Sequence, residues 1–314
     1  MNSSDFDWIS REIRSSLPTE VLAVERINQG RNSSCSKVSL EGVNFVLKDY
    51  SNLPDAEARF LRESFTLQLV SSLGISNGPE IVALDKKRFQ IATKFIDGNS
   101  PKEISRNFLN SLSVFLGELN SNHAKIKSSP LSRDAYLGEF DIFADIEVRH
   151  SSISPKANLS VFRESHTAIY DCFRRFVVHN SEQVNEVRKA FSLANSKNFF
   201  SPSDLGLHNS IENRLGFFFV DFEYAGLDSP LKMLFDLIAN PSNQINSLEL
   251  IDQDETIFRK YLSMLSSRQI TDFHFLFMIK WYFILLNIIL KQKPDVKVVE
   301  NLKMLESKIG NFNG

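Results

Sequence analysis

The chain has 314 residues, of which 42% are apolar and 24% charged. That composition excludes disorder as the main state and leaves room for two domains or one large two-lobed one. With 36 Lys and Arg against 38 Asp and Glu, no chain-wide basic field points to nucleic acid.

Residues 5–17 read as a short amphipathic helix that ends before Pro18. The first residues carry neither a basic stretch nor an apolar one, so no secretory signal is expected and the cytoplasm is the expected compartment. Cys35 and Cys172 lie far apart without metal-ligand spacing, which favours two reduced thiols over a disulfide. Strands are predicted at 21–24, 37–40 and 43–48, with the polar loop 28–34 between the first two. In the third, Val43, Phe45 and Leu47 alternate with Asn44, Val46 and Lys48.

A helix follows over 54–73, with Asp55 and Glu57 in its first turn and the stripe Ala58, Leu61, Phe65, Leu69 and Leu73 as its expected buried face. Strands at 81–84 and 89–96 come next, ending at Asp97-Gly98. Beyond that the pattern is mainly helical, at 101–127, 139–152, 160–195, 230–239, 247–266 and 272–291. The acidic residues Glu139, Asp141, Asp145 and Glu147 are expected on a solvated helix face. Residues 275–290 are mostly apolar but carry Lys280 and Asn287 and fall short of the ~20 residues a membrane span needs. A buried core helix is expected there, capped by Thr271 and Asp272, and no membrane partner.

The 12 glycines are informative by their spacing. None are separated by one residue and none are five apart, which excludes the G-x-G-x-x-G and Walker A phosphate loops. Gly74-Ile-Ser76-Asn-Gly78 matches the nucleophile-elbow pattern G-x-S-x-G, but a helix precedes it and a strand follows, the reverse of what that motif requires. Gly74 is therefore expected as a helix C-terminal residue.

Within 197–226 two apolar runs flank a polar loop, as in a β-hairpin. There Asp204 and Asn209 are followed by Asp221 at the end of an apolar run. Hard oxygen ligands of this kind suit Mg²⁺, and a further carboxylate can orient a hydroxyl and take its proton. The strand residue Lys48 can reach phosphates, with Glu63 or Glu57 on the next helix to hold it. The loop Gly30-Arg31-Asn32-Ser33-Ser34 offers backbone N–H groups and hydroxyls to the same phosphates.

These residues resemble the aminoglycoside phosphotransferase and choline kinase-like family, a branch of the protein kinase-like fold. The resemblance runs from Ile27 to about Leu290 and rests on Gly30-Arg31-Asn32-Ser33, Lys48, Glu63, Asp204-x4-Asn209 and Asp221-Phe222-Glu223. It implies an α+β, two-lobed chain, with a β-rich nucleotide-binding lobe over 1–97 and a helical lobe over 98–314. It further implies an ATP- and Mg²⁺-dependent transfer of phosphate to a small-molecule hydroxyl. Asp204 would be the catalytic base and Asn209 and Asp221 the Mg²⁺ ligands. Lys48, held by Glu63, would bind phosphates together with Gly30, Asn32, Ser33 and Ser34, and the backbone of Lys94, Phe95 and Ile96 would meet adenine. Asp236 would support the catalytic loop. Pro202-Ser203-Asp204 stands where the family has His-Gly-Asp, and Gly206 where it has a second His; His208, beside Asn209, is expected to pack the loop. That departure leaves a second reading open, a catalytically impaired nucleotide-binding or regulatory protein on the same fold.

Overall fold

The computed structural model describes residues 21–28, 34–40, 43–138, 140–195, 198–243, 257–292 and 295–312. The predicted helix at 5–17 and the loop residues Gly30, Arg31, Asn32 and Ser33 lie outside the described residues.

A five-stranded antiparallel sheet occupies the N-terminal region, in the order β1-β2-β3-β5-β4. Its strands are β1 (Val21–Asn28), β2 (Ser34–Leu40), β3 (Val43–Asp49), β4 (Ile81–Asp85) and β5 (Gln90–Lys94). β3 is central because it pairs with β2 and β5, and alternation along it buries Phe45 and Leu47 on one face while Lys48 and Tyr50, two apart, share the other. Helix α1 (Ala56–Ser72) packs on the sheet and ends at Gly74, whose φ of 69° is left-handed. The Ile75 and Gly74 amides close that end on Val70 and Ser71 carbonyls. The nucleophile-elbow match is thus a helix terminus.

The buried face of α1 is not the predicted stripe. Of that stripe Leu69 is buried as expected, but Leu61 is exposed and Ala58, Phe65 and Leu73 are half-buried, whereas Arg59, Phe60, Glu63, Leu67 and Val70 are buried. The helix is rotated because Arg59 and Glu63 find charged partners inside, which offsets the cost of burying them. An apolar-periodicity argument has no access to that compensation.

The C-terminal region is mainly helical: α2 (Arg106–Leu119), α3 (His123–Ile126), α4 (Ile142–Ala157), α5 (Arg163–His179), α6 (Ser181–Ala194), α7 (Pro230–Ala239), α8 (Ile257–Leu262), α9 (Ser267–Lys291) and α10 (Val296–Gly310). Two predicted long helices are each broken. One splits at Asn120–Asn122, where Asn122 caps α3, and the other at Asn180, whose side chain bonds back to Phe176. Of the predicted helix at 247–266, residues 247–256 lie outside the described residues. Helix α10 has no counterpart among the predicted elements.

Helix α9 is long and apolar enough to cross a membrane by length and composition. Its Phe273, Phe275, Leu276, Phe277, Tyr282 and Leu286 are instead buried, packed against α4, α7 and α10. It begins at Ser266, not at Thr271 or Asp272, through a reciprocal capping box with Gln269. Most of the 27 Phe belong to this core, and both cysteines are free.

The predicted hairpin is two ladders. β6 (Phe200–Ser201) pairs with β9 (Gly226–Leu227), and β7 (Ser210–Asn213) pairs with β8 (Gly216–Phe219) between them. The segment after β5 is fastened to β7: the amides of Asn99 and Glu212 donate to each other's carbonyls at 3.1 and 2.7 Å. A Cβ on Gly98 would lie 2.6 Å from the Glu212 carbonyl oxygen, so the close approach requires glycine.

Candidate active site

Lys48 Nζ lies 2.8 and 2.9 Å from the two oxygens of Glu63 and 2.7 Å from Asp221 Oδ1. Three elements distant in sequence, β3, α1 and the end of β8, therefore meet at one ammonium. Burial works against that charge, but Asp221 and Glu63 outweigh it and hold the lysine pKa above its usual value. Burial raises the carboxyl of Glu63, with Lys48 opposing. Glu57 is exposed at the outer face of α1, which leaves Glu63 as the partner of Lys48.

Two further side chains hold Glu63 and α1 in place. The hydroxyl of the fully buried Tyr50 donates to Glu63 Oε2. Arg59 reaches from α1 to Glu223 (2.6 Å) and the Tyr224 hydroxyl (2.8 Å) in the segment after Asp221. Glu223 is buried, and desolvation followed by repulsion from Asp221 raises its pKa to about 7 against the pull of Arg59. Tyr50 lies two positions from Lys48, and Arg59 four from Glu63. Periodicity alone puts each on the correct face.

Asp204 sits in the turn between β6 and the single 3₁₀ turn Leu207–Asn209. The Asn209 side-chain amide donates to the Asp204 carbonyl (2.9 Å), which leaves its Oδ1 for another partner. The Val220 amide donates to the Asn209 carbonyl at 3.0 Å, bringing Asp221 alongside. Asn243 reaches from beyond α7 to the Leu205 and Leu237 carbonyls, 3.4 and 2.9 Å away. An amide oxygen and a carboxylate held this way are hard donors that fit Mg²⁺, with phosphate and water completing the shell.

His208 lies against the loop as expected: a Cβ on Gly206 would be 2.8 Å from its Nδ1. Its side chain is half exposed and its Nε2 lies 3.3 Å from Asp204 Oδ2. Burial opposes the imidazolium, but the hydrogen bond and the charges of Asp204 and Asp221 raise its pKa. The histidine thus both packs on the loop and neighbours its carboxylate, four residues on.

Ser203 has φ 67° and Asp221 φ 68°, both left-handed. The serine takes the place where the resembling family has glycine, and it accepts the strain that glycine avoids. Its Oγ is also buried without a hydrogen-bond partner. Ser203→Gly is expected to raise unfolding stability by about 0.5–1 kcal/mol, since relieved strain and a removed orphan hydroxyl exceed the added chain entropy. Urea denaturation checks this, and a lower midpoint would contradict the account.

The nucleotide-facing expectations divide. Ser34 opens β2, opposite Asp49. Cys35 lies opposite Lys48, its thiol pKa raised by burial. The Lys94 and Phe95 amides already donate to Glu80 and Asn44 carbonyls at 2.9 and 3.0 Å. The Lys94 side chain pairs with Glu80 on the surface. Of the three residues expected at adenine, only Ile96 keeps its amide out of the sheet's hydrogen bonds among the described residues.

Asp236 does not support the catalytic loop. It binds Lys280 Nζ at 2.7 and 2.8 Å and lies 3.6 Å from Lys232. The fully buried aspartate of this stretch is Asp228, just past β9, and its partners also lie outside the loop of Asp204 and Asn209. It accepts from Ser132 Oγ, the Tyr136 and Ser229 amides, and Lys232 at 2.8 Å. The acidic run is likewise not a solvated face. Asp141 caps α4, Asp145 is buried against Tyr136, Arg149 and Lys280, and Glu147 accepts from Tyr170. Glu139 lies outside the described residues.

No family profile and no curated protein sequence matches the chain. Solved structures do. A choline kinase from Streptococcus pneumoniae matches with TM-score 0.60 at 15% identity, over 98% of this chain and 100% of its own. An ethanolamine kinase from Plasmodium vivax matches with TM-score 0.62 at 15% identity, over 98% and 86%. A gentamicin-bound aminoglycoside phosphotransferase, APH(2")-IIa, matches with TM-score 0.60 at 15% identity, over 100% and 97%. With its small β-sheet region, its larger helical region and a Lys–Glu–Asp junction between them, the chain has the two-lobed, α+β protein kinase-like fold of these structures.

Proposed function

We propose that the protein is an ATP- and Mg²⁺-dependent phosphotransferase acting on a hydroxyl of a small molecule. The observation that carries this reading is the convergence of Lys48, Glu63 and Asp221 beside a loop bearing Asp204 and Asn209. Phosphoryl transfer asks mainly for positioning and charge neutralisation, and these groups supply both. Asp204 would orient the acceptor hydroxyl and take its proton. Asn209 Oδ1 and Asp221 would hold Mg²⁺, which when bound neutralises charge on the transferred phosphate. Lys48, steadied by Glu63, would bind the α- and β-phosphates; Ser34 and the loop of Gly30, Asn32 and Ser33 would line the same path. The peptide at 94–96 would meet adenine, chiefly through Ile96. The lobes would divide as 1–97 and 98–314. The kinases and phosphotransferases of the same fold act on small molecules, which supports that acceptor class.

A screen of purified protein with labelled ATP and Mg²⁺ against choline, ethanolamine, amino sugars and sugars tests this. Transfer to one of them is expected; Mg²⁺-dependent ATP binding without transfer to any hydroxyl would favour the regulatory reading. Tyr50→Phe should lower kcat/KM about tenfold, the scale of one hydrogen bond to a charged group, while the fold is retained. Unchanged kinetics would remove Tyr50 from the positioning of Glu63.

A further inference from the structure

Where α1 meets the segment after Asp221, guanidinium groups outnumber the carboxylates left to meet them. Arg59 already meets two carboxylates, with Nε on Asp55 at 2.7 Å and Nη1 on Glu223 and the Tyr224 hydroxyl. Arg62 lies three residues on and donates Nε to the Leu131 carbonyl at 3.0 Å; among the described residues no carboxylate pairs with it. Two residues past Leu131, the Arg133 amide donates to the Tyr224 carbonyl at 3.1 Å. The Arg133 guanidinium lies over the Tyr224 ring, 4.9 Å from its centroid, and no carboxylate pairs with it among the described residues. Arg59 covers the same ring, also at 4.9 Å.

The carboxylates that reach Arg62 electrostatically are already committed elsewhere. Asp55 holds Arg59, and Asp134 holds Arg149 at 3.1 Å. Burial, then the positive charge of Arg133, holds Arg62 below the usual arginine range. Two like charges are thus kept together by a backbone carbonyl and a tyrosine ring, with most of their N–H donors unused. A carboxylate offers two oxygens to two planar forks. A phosphate monoester offers three and nearly two negative charges, the better match.

We propose that Arg62 and Arg133 form a binding site for a phosphate monoester, separate from the phosphate-binding parts around Lys48. Tyr224 lies under Arg133 and follows Glu223, so the bound anion would sit directly on the segment that carries Asp221. The site does not depend on the phosphotransferase reading, because its occupancy is read by binding alone.

Calorimetric titration of the full chain at constant ionic strength tests it, with inorganic phosphate in one arm and glycerol 2-phosphate in another. Saturable binding is expected for wild type, tighter for glycerol 2-phosphate if an organic monoester is the natural ligand and tighter for phosphate if the free ion is. The double variant Arg62→Ala/Arg133→Ala should weaken it at least tenfold, and Lys48→Met should leave it unchanged. Circular dichroism checks folding. Should the double variant unfold, Arg133→Lys, which keeps the charge but loses the fork, should weaken binding several-fold. No saturable binding, equal binding by the arginine variants, or loss with Lys48→Met would overturn the proposal, the last by assigning the anion to the nucleotide cleft.

Discussion

Asp204→Ala is expected to lower turnover by about 10²–10⁴-fold, the range that a positioned general base contributes. Nucleotide affinity should change little, because Lys48, Glu63 and Asp221 meet each other rather than the Asp204 carboxylate. The Asp204 backbone is held independently of its side chain, its carbonyl by Asn209 and its amide by the Pro202 carbonyl at 3.0 Å. Removing the carboxylate should therefore leave the loop standing. The measurement is kcat with the acceptor that the screen returns, alongside calorimetric binding of ATP with Mg²⁺. Retained turnover would remove Asp204 from the chemistry, and lost ATP binding would give it a structural role instead. His208 adds a control: if it only neighbours the carboxylate, His208→Ala should fall far short of that loss.

The second large effect is on stability. Asp228→Ala removes the common acceptor of Ser132, Lys232 and two backbone amides, all in the interior. Lys232 would keep only Asp236, 3.6 Å away and already bound to Lys280. Breaking a buried pair by deleting one partner costs about 3–5 kcal/mol, since the other charge stays buried. That is a large part of an ordinary domain's stability of about 5–15 kcal/mol. Urea denaturation of Asp228→Ala and Asp228→Asn should show the full loss for alanine and a smaller one for asparagine, which keeps the shape and an acceptor. A loss below about 1 kcal/mol for alanine would mean that water replaces the carboxylate and that the network is not closed.

The parts of the site that were legible in the sequence are those set by short spacings. Asp204 and Asn209 share one loop, and Lys48 alternates with apolar residues on one strand. What distance in sequence separates was less legible. The burial of Arg59 becomes sensible only once Glu223, 164 residues later, is placed beside it. Lys280 looked like an interruption of an apolar helix, and its partners Asp236 and Asp145 lie on two other helices. Asp236 and Asp228 are eight positions apart on the same stretch of chain, and nothing local says that one meets Lys280 and the other Ser132 and Tyr136. The start of α9 is written locally, since Ser266-x-x-Gln269 is a capping box, whereas Thr271 and Asp272, nearer the apolar run, lie inside the helix.

The paired amides of Asn99 and Glu212 also couple two places in the fold that the chain keeps far apart. The crossing peptide is bolted to β7, which continues from the loop of Asp204 and Asn209, and Asn213 adds a bond to the Asp97 carbonyl at 2.8 Å. The only route from the sheet to the helical region that follows β5 is therefore tied to the same ladder that carries the loop, and a side chain at Gly98, which would meet the Glu212 carbonyl oxygen at 2.6 Å, would disturb both at once.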